Sequence, residues 1–290
     1  MPIAFPPELM VSVSGFRGKV GQPLTPELVT SLAAGFGAFL MKTQKGKPVF
    51  LGRDSRTSGP MLAASAASGL QSVGCDVVDL GMVPTPTLLL AVEEGGGAGG
   101  IGVTASHNPG EWNALKFASA EGIFLDAEAM GRFQHLLLNE DPQRAGWEEI
   151  GSMKSDSGAV DRHLDRILTL PCLDVPALKL RGFRVALVCV NGAGGVIMPQ
   201  LLEALGCQVM GIHTEPHGRF KRNPEPTAEN LEELGEKVRE AGAELGLAVD
   251  PDVDRLALVD ADGVALGEDM TLALASAVIL KREPGVVAVS

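Results

Sequence analysis

The chain alternates short apolar runs with longer stretches in which apolar residues recur every three to four positions. Runs of four to eight apolar residues indicate buried strands, and the longer period indicates amphipathic helices. Predicted strands cover 49–51, 76–80, 98–103, 183–190, 207–212, 245–249 and 256–259. Predicted helices cover 26–41, 59–73, 84–94, 126–138, 159–170, 196–205, 228–241 and 269–281.

Capping residues and turn residues set the limits of these elements. Thr25, Ser58 and Thr227 are predicted to cap the helices that follow them. The stretch 139–157 is polar and aperiodic, which predicts a linker or the start of a second unit. The apolar run 285–290 predicts a strand, and we expect it to belong to a unit cut short.

Strands and helices alternate along the whole chain, which predicts an α/β fold. We expect consecutive α/β domains, each with a mixed, mainly parallel sheet sandwiched by helices.

The segment Thr104–Pro109, with the sequence TASHNP, follows a predicted buried strand. Pro109 fixes its own φ and disfavours helical backbone at Asn108, so a stiff non-helical turn is expected. A serine presented at such a turn could carry a covalent group. Taken alone, the segment is better interpreted as a polar turn between two strands.

A second polar segment, DPDVDR at 250–255, follows the apolar run 245–249. Its alternate carboxylates can converge in extended backbone, and they would repel one another unless a cation lay between them. Hard oxygen ligands of this kind suit Mg²⁺. A solvated acidic loop is the plainer alternative, and an EF-hand is excluded because Arg255 and Ala261 occupy its glycine and glutamate positions.

Two further glycine-containing segments have weaker signals. Residues 12–18 form a predicted loop around Arg17, whose guanidinium could approach an anion, although a surface turn is favoured for this segment alone. Residues 191–195 lie between a strand and a helix but lack the GxGxxG spacing, so no dinucleotide site is predicted.

Composition narrows the class of protein. The chain has 290 residues, 45% of them hydrophobic, and a formal net charge of −12. This size suggests two or more domains, and the acidic charge argues against a general nucleic-acid binder. The four cysteines have no CxxC spacing, so reduced thiols are expected. Neither a signal peptide nor a membrane-length apolar run is evident, and we expect a soluble cytoplasmic protein.

Taken together, the motifs resemble the N-terminal part of the α-D-phosphohexomutases. This family includes phosphoglucomutases, phosphomannomutases and phosphoglucosamine mutases. The resemblance runs through SGFRG around Arg17, GRDSR at 52–56, TASHNP, the lysine ten residues after Ser106, and DPDVDR. It covers nearly the whole chain and implies interconversion of hexose 1-phosphate and hexose 6-phosphate through a phosphoserine and a bisphosphate intermediate.

The resemblance implies catalytic roles for four residues. Ser106 would be phosphorylated and exchange its phosphoryl group with the sugar. Arg17 and Lys116 would stabilise charge or move a proton near the transferred group, and the assignment between them stays open. His107 would line the same pocket.

The resemblance also implies ligands and cofactors. One Mg²⁺ per active site would be held by oxygen ligands from Ser106, Asp250, Asp252 and Asp254. Arg255 and Asn108 would bind the substrate, a phosphorylated hexose, and hexose 1,6-bisphosphate would serve as activator and intermediate. No nucleic-acid or membrane partner is expected, and the oligomeric state stays open.

The family has four domains, and the resemblance predicts domain I at 1–152, domain II at 153–262 and the start of domain III at 263–290. The third domain is therefore expected to be truncated. We expect the isolated chain to bind Mg²⁺ without mutase turnover. One alternative is an incomplete, inactive fragment that binds a sugar phosphate and magnesium. A less favoured alternative is an aspartyl-phosphate type phosphatase with Asp250 as nucleophile, because Asp254 occupies a position that is normally threonine or valine.

Overall fold

The computed structural model describes residues 2–282 and 284–286. The chain divides into two compact units. Unit 1 comprises Met1–His163 with His217–Arg219, and unit 2 comprises Leu164–Pro216 with Phe220–Ser290. The division of the sequence into three domains at Ser152 and Asp262 stays a prediction.

Unit 1 is built on a seven-stranded mixed sheet. Its elements are β1 (Met10–Ser12), β2 (Gly15–Lys19), α1 (Pro26–Met41), β3 (Val49–Arg53), α2 (Gly59–Gln71), β4 (Val77–Met82), α3 (Thr85–Glu94), β5 (Gly99–Val103), β6 (Trp112–Ala118), α4 (Ala127–Asn139) and β7 (Met153–Ser155). The helix α5 (Ala159–Leu168) follows and includes the division between the units. The strand order is β1-β2-β6-β5-β3-β4-β7. The pairs β3–β4, β3–β5 and β4–β7 are parallel, and the pairs β1–β2, β2–β6 and β5–β6 are antiparallel.

Alternation along β3 shows that helices cover both faces of this sheet. Val49 and Leu51 belong to one core cluster, shared with α1, α2 and α4. Phe50 belongs to another cluster, in which Leu88 and Val92 of α3 are buried. Successive strand residues point to opposite faces, so a fully apolar strand such as β3 requires cover on both sides.

Within the described residues, unit 2 is built on a five-stranded sheet of order β12-β11-β10-β8-β9. Its elements are α6 (Val175–Arg181), β8 (Arg184–Val188), α7 (Gly194–Ala204), β9 (Gln208–Ile212), a 3₁₀ turn (Ala228–Leu231), α8 (Glu232–Ala241), β10 (Leu245–Val249), β11 (Leu256–Val259), β12 (Ala265–Gly267) and α9 (Glu268–Arg282). β8 pairs in parallel with β9 and β10, whereas β10–β11 and β11–β12 are antiparallel. The mixed α/β architecture predicted from the sequence is confirmed.

Several local predictions need correction. Arg17 lies on strand β2, not on a loop, because 10–12 and 15–19 pair as an antiparallel hairpin. Residues 153–155 are not linker, since they add the parallel edge strand β7 to the sheet of unit 1. The predicted strand at 285–290 extends beyond the described residues.

The helix caps are only partly as predicted. The Thr25 hydroxyl accepts a hydrogen bond from the Leu28 N–H and caps α1. Ser58 and Thr227 precede helical segments but make no such side-chain bond. The Ser58 hydroxyl instead accepts a hydrogen bond from Asn113 Nδ2 at 2.9 Å, which ties α2 to β6.

Candidate active site

Ser106 lies in a tight turn directly after β5, at the carboxyl edge of the parallel strands of unit 1. Its φ is +48°, a left-handed conformation that non-glycine residues seldom adopt. The residue is 5% exposed. The structure therefore presents this hydroxyl from an unusual and enclosed backbone position, of the sort that concentrates at functional sites.

Arg56, from the loop between β3 and α2, lies beneath this turn and is fully buried. Its guanidinium donates to four backbone carbonyls and one carboxylate. The carbonyl distances are 2.6 Å to Ser106, 2.6 Å to Asn108, 2.7 Å to Pro109 and 3.0 Å to Trp112. With the 3.0 Å bond from Nε to Asp54 Oδ2, all five N–H donors of the arginine are used.

Asp54 links the arginine to the amide of the serine. Its Oδ2 also accepts a 2.8 Å hydrogen bond from the Thr104 hydroxyl. The Thr104 oxygen in turn accepts from the Ser106 N–H at 3.0 Å. Asp54, Arg56 and Thr104 are each no more than 2% exposed, so the buried charges are paired and hydrogen-bonded as burial requires.

Arg17 and Lys116 extend from one face of the β2–β6 pair. Phe16 opposes Leu115 and Arg17 opposes Ala114 in this antiparallel register. The rings of Phe16 and Phe117 pack edge to face in the core, with centroids 5.8 Å apart. Alternation along each strand therefore turns Arg17 and Lys116 to the opposite face of the sheet from these phenylalanines.

The two basic side chains differ in their surroundings. Lys116 is 6% exposed, and its ammonium nitrogen lies 5.5 Å from the centroid of the Phe124 ring. Arg17 is half-buried and donates from Nη1 to Asn108 Oδ1 at 2.7 Å. His107 Nδ1 lies 3.4 Å from Ser106 Oγ. Unit 1 thus contains every residue of the predicted site that precedes the aspartate motif.

In unit 2, the three predicted metal ligands converge. One oxygen from each of Asp250, Asp252 and Asp254 lies within 4.8 Å of the others, directly after strand β10. Asp250 and Asp252 are buried, whereas Asp254 is exposed. Convergent carboxylates, two of them withdrawn from water, are a donor set that fits a hard divalent cation such as Mg²⁺.

A glycine-rich turn supports this aspartate loop. A Cβ on Gly192 would lie 2.6 Å from Pro251 Cα, and one on Gly194 would lie 2.6 Å from a methyl group of Val249. The Ala193 N–H donates to the Pro251 carbonyl at 2.8 Å. The glycines predicted only to form a tight turn therefore also allow the backbone to approach the aspartate loop closely.

Arg255, the predicted substrate-binding residue of unit 2, faces two carboxylates. Its Nη1 lies 3.5 Å from Glu268 Oε2 and 3.9 Å from Glu225 Oε1. Partial burial raises the pKa of the Glu268 carboxyl, an effect that Arg255 partly offsets. These two glutamates hold the side chain of Arg255, the residue that directly follows Asp254.

Left-handed non-glycine residues mark the loops of both units. They are Ser106, Val190, Asn191, His213 and Val253. Each follows the carboxyl end of a strand, the edge at which open α/β sheets bind ligands. Both predicted motifs therefore lie on backbone that the surrounding structure forces into place.

The network behind the serine turn was not predicted from the sequence. The segment GRDSR at 52–56 was recognised as a motif, but no role was predicted for Asp54 or Arg56. The available sign of this network in the sequence was the pair of charged residues, Asp54 and Arg56, between a buried strand and a helix. The roles assigned to individual residues, including Ser106 as a metal ligand, stay predictions.

No helix in the described ranges combines the length and apolar character needed to cross a membrane.

Comparisons with known proteins match both units. Residues 9–143 match the family description "Phosphoglucomutase/phosphomannomutase, alpha/beta/alpha domain I", and residues 161–263 match domain II of the same family. A "Phosphoglucomutase/phosphomannomutase" of Thermococcus kodakarensis is 38% identical over 273 residues, which are 93% of this chain and 59% of the relative. A "Probable phosphoglucosamine mutase" of Methanopyrus kandleri is 38% identical over 96% of this chain and 60% of the relative.

Solved structures agree with the sequence comparisons. A phosphoglucomutase/phosphomannomutase family protein from Burkholderia thailandensis superposes with a TM-score of 0.78 at 32% identity, covering 95% of this chain and 61% of that one. The chain thus spans about 60% of the length of these relatives.

Proposed function

Because this chain belongs to the phosphoglucomutase/phosphomannomutase family, we propose that it forms the phosphoserine-bearing and magnesium-binding part of a hexose-phosphate mutase. The observation that carries the proposal is the Ser106 turn. Its hydroxyl is presented from a left-handed, buried backbone position beside His107, in a unit that also holds Arg17 and Lys116.

The proposed reaction exchanges a phosphoryl group between Ser106 and a sugar hydroxyl. In the first transfer, the Ser106 Oγ–P bond breaks as a bond from phosphorus to the sugar oxygen forms, which gives a hexose bisphosphate. In the second transfer, the other phosphoryl group of this bisphosphate moves to Ser106 Oγ. Such transfers depend on positioning and charge stabilisation more than on covalent chemistry by the protein.

The protons of this exchange are assigned to Lys116 and His107. An arginine stays protonated in proteins, so Lys116 is the better candidate of the two to exchange a proton with the sugar hydroxyl, and Arg17 supplies fixed positive charge. His107, whose Nδ1 lies 3.4 Å from Ser106 Oγ, is placed to exchange a proton with the serine oxygen. The second transfer reverses both proton movements, so the cycle leaves the residues unchanged.

Asp250, Asp252 and Asp254 are proposed to hold the Mg²⁺. When bound, this ion would supply positive charge to offset the phosphoryl oxygens. Arg255 and Asn108 are proposed to contact the substrate, a hexose phosphate of the glucose, mannose or glucosamine series. The printed names of the relatives, which include a phosphoglucomutase/phosphomannomutase and a "Probable phosphoglucosamine mutase", support this range of substrates.

The proposal is tested by transfer of label to the protein. The dephosphorylated chain is incubated with Mg²⁺ and glucose 1,6-bisphosphate carrying ³²P, then digested and mapped by mass spectrometry. We expect one labelled peptide containing Ser106, absent from Ser106→Ala and present in the control Ser65→Ala. Absence of label from the chain, or a hydroxylamine-labile label on Asp250, would contradict the proposed chemistry.

A further inference from the structure

We propose that Arg56 is the positioning residue of the reaction proposed above, holding the Ser106 turn in one conformation whether or not the serine is phosphorylated. This inference rests on the proposed function for its catalytic consequence. Its structural basis is the set of contacts between Arg56 and residues 106–112.

The first step of the argument is where the bonds go. Four of the five guanidinium bonds end on main-chain carbonyls, those of Ser106, Asn108, Pro109 and Trp112. None of the five ends on Ser106 Oγ or on the His107 ring. Gain or loss of a phosphoryl group at Oγ therefore leaves these five bonds chemically unchanged.

The second step is the conformation that these bonds hold. A left-handed backbone is disfavoured for serine, because its Cβ then lies too close to the following carbonyl oxygen. The Ser106 carbonyl is held by Arg56 at 2.6 Å, and its N–H is held by the Thr104 hydroxyl at 3.0 Å. Both sides of the strained residue are thus tied, directly or through Thr104, to the Asp54–Arg56 ion pair.

The third step is that the task requires an arginine. Only a guanidinium offers five donors in a rigid planar fork, and lysine offers three on a mobile ammonium. Arg56→Lys keeps the positive charge opposite Asp54 but leaves at least two of the buried carbonyls without their donor. The turn should then shift while the ion pair survives, so the variant isolates geometry from charge.

The experiment measures rate, affinity and loop protection in the same proteins. Transfer of label from glucose 1,6-bisphosphate to Ser106 is followed against bisphosphate concentration, and amide hydrogen exchange is followed in the peptide spanning 104–116. For Arg56→Lys we expect the maximal rate to fall about a hundredfold, the loss typical of a misplaced reacting group. The half-saturating concentration of bisphosphate should change less than the rate, because Arg56 is fully buried and its five guanidinium bonds go to the protein itself, so that substrate contacts are affected only through Asn108 of the same turn.

Exchange should show the cause of the slower transfer. In Arg56→Lys the amides of Ser106, Asn108 and Trp112 should exchange faster, since their acceptors belong to the same turn. In the wild-type protein their protection should be equal with and without phosphate on Ser106. Unequal protection would overturn the claim that the turn is independent of phosphorylation.

A matched control separates positioning from general instability. Leu70→Ala truncates a fully buried side chain on α2 and should lower the melting temperature of unit 1 at least as much, with transfer and turn protection unchanged. Wild-type rate and wild-type protection in Arg56→Lys would overturn the inference. If the wild-type chain takes no label, the proposed function fails, and the exchange comparison still decides whether Arg56 holds the turn.

Discussion

Asp252→Asn is expected to stabilise the metal-free protein and to remove most of its response to magnesium. Asp250 and Asp252 are 0% and 1% exposed, and their oxygens lie within 4.8 Å of each other. At an effective dielectric constant near 20, two like charges at that distance repel by about 3.5 kcal/mol. Asn keeps the shape of the side chain and removes one of the charges.

Part of this repulsion is already offset, because the Asp250 carboxylate accepts backbone N–H bonds from Asp254 and Arg255. We therefore expect the metal-free Asp252→Asn variant to gain about 1–2 kcal/mol in free energy of unfolding, which corresponds to a rise of a few degrees in the melting temperature of unit 2. In the wild-type protein, Mg²⁺ at a hundred times its dissociation constant adds about 2.7 kcal/mol to the free energy of unfolding. The variant should gain less than half of that, so the difference in stability between the two proteins shifts in favour of the wild type by more than about 1.3 kcal/mol when Mg²⁺ is added.

Thermal unfolding of both proteins across a magnesium titration measures both effects. Glu236→Gln is the control, since it makes the same change of charge at an exposed position of α8 in the same unit. It should leave the magnesium response unchanged. A metal-free Asp252→Asn protein that melts below the wild type would refute the repulsion argument, and an undiminished response to Mg²⁺ would remove Asp252 from the metal site.

Three further predictions follow from contacts and burial. Gly192→Ala should lower the free energy of unfolding of unit 2 by about 1–3 kcal/mol in a denaturant titration, because the new Cβ would lie 2.6 Å from Pro251 Cα. The control Gly131→Ala places its Cβ in open space and should not destabilise unit 1. Burial raises the pKa of the Cys189 thiol to about 12, so at pH 8 iodoacetamide should modify it only after denaturation, as mass spectrometry would show. Burial lowers the pKa of the His163 imidazole from its ordinary 6.5, so the unfolded chain binds the proton more readily than the folded one. Unit 1 should therefore lose stability as the pH falls below 6.5. In a profile of melting temperature against pH, His163→Gln should flatten this part of the curve.

Much of the architecture could be predicted because its signals are local. The apolar runs before the two motifs fold as the buried strands β5 and β10, and the residues that follow them become loops at the carboxyl edge. Thr25 and Pro26 begin α1 as expected, since capping depends on residues within one turn. These elements need no knowledge of distant contacts.

The wrong predictions concern local structures that depend on contacts with residues far along the chain. The strand β7 has the exposed sequence Met-Lys-Ser, with no alternation to reveal it, and it exists because its backbone pairs with β4. Ser58 has the identity of a helix cap, but its hydroxyl is engaged by Asn113, 55 positions away along the chain. Propensity is a weak prior in such cases, because tertiary partners override it.

The predicted stiffness of the serine turn shows the same limit. It was attributed to Pro109, but the influence of a proline on backbone angles extends only to itself and to the preceding residue, Asn108. The left-handed φ of Ser106 lies outside that reach and must be imposed by other bonds. The structure supplies them from Arg56, 50 positions earlier in the chain, whose partners are carbonyl groups that every residue possesses. A contact with main-chain atoms leaves no trace in the identity of the contacted residues. The charged residues of 52–56 could be noticed in the sequence, but which part of the chain Arg56 holds could be recognised only from the fold.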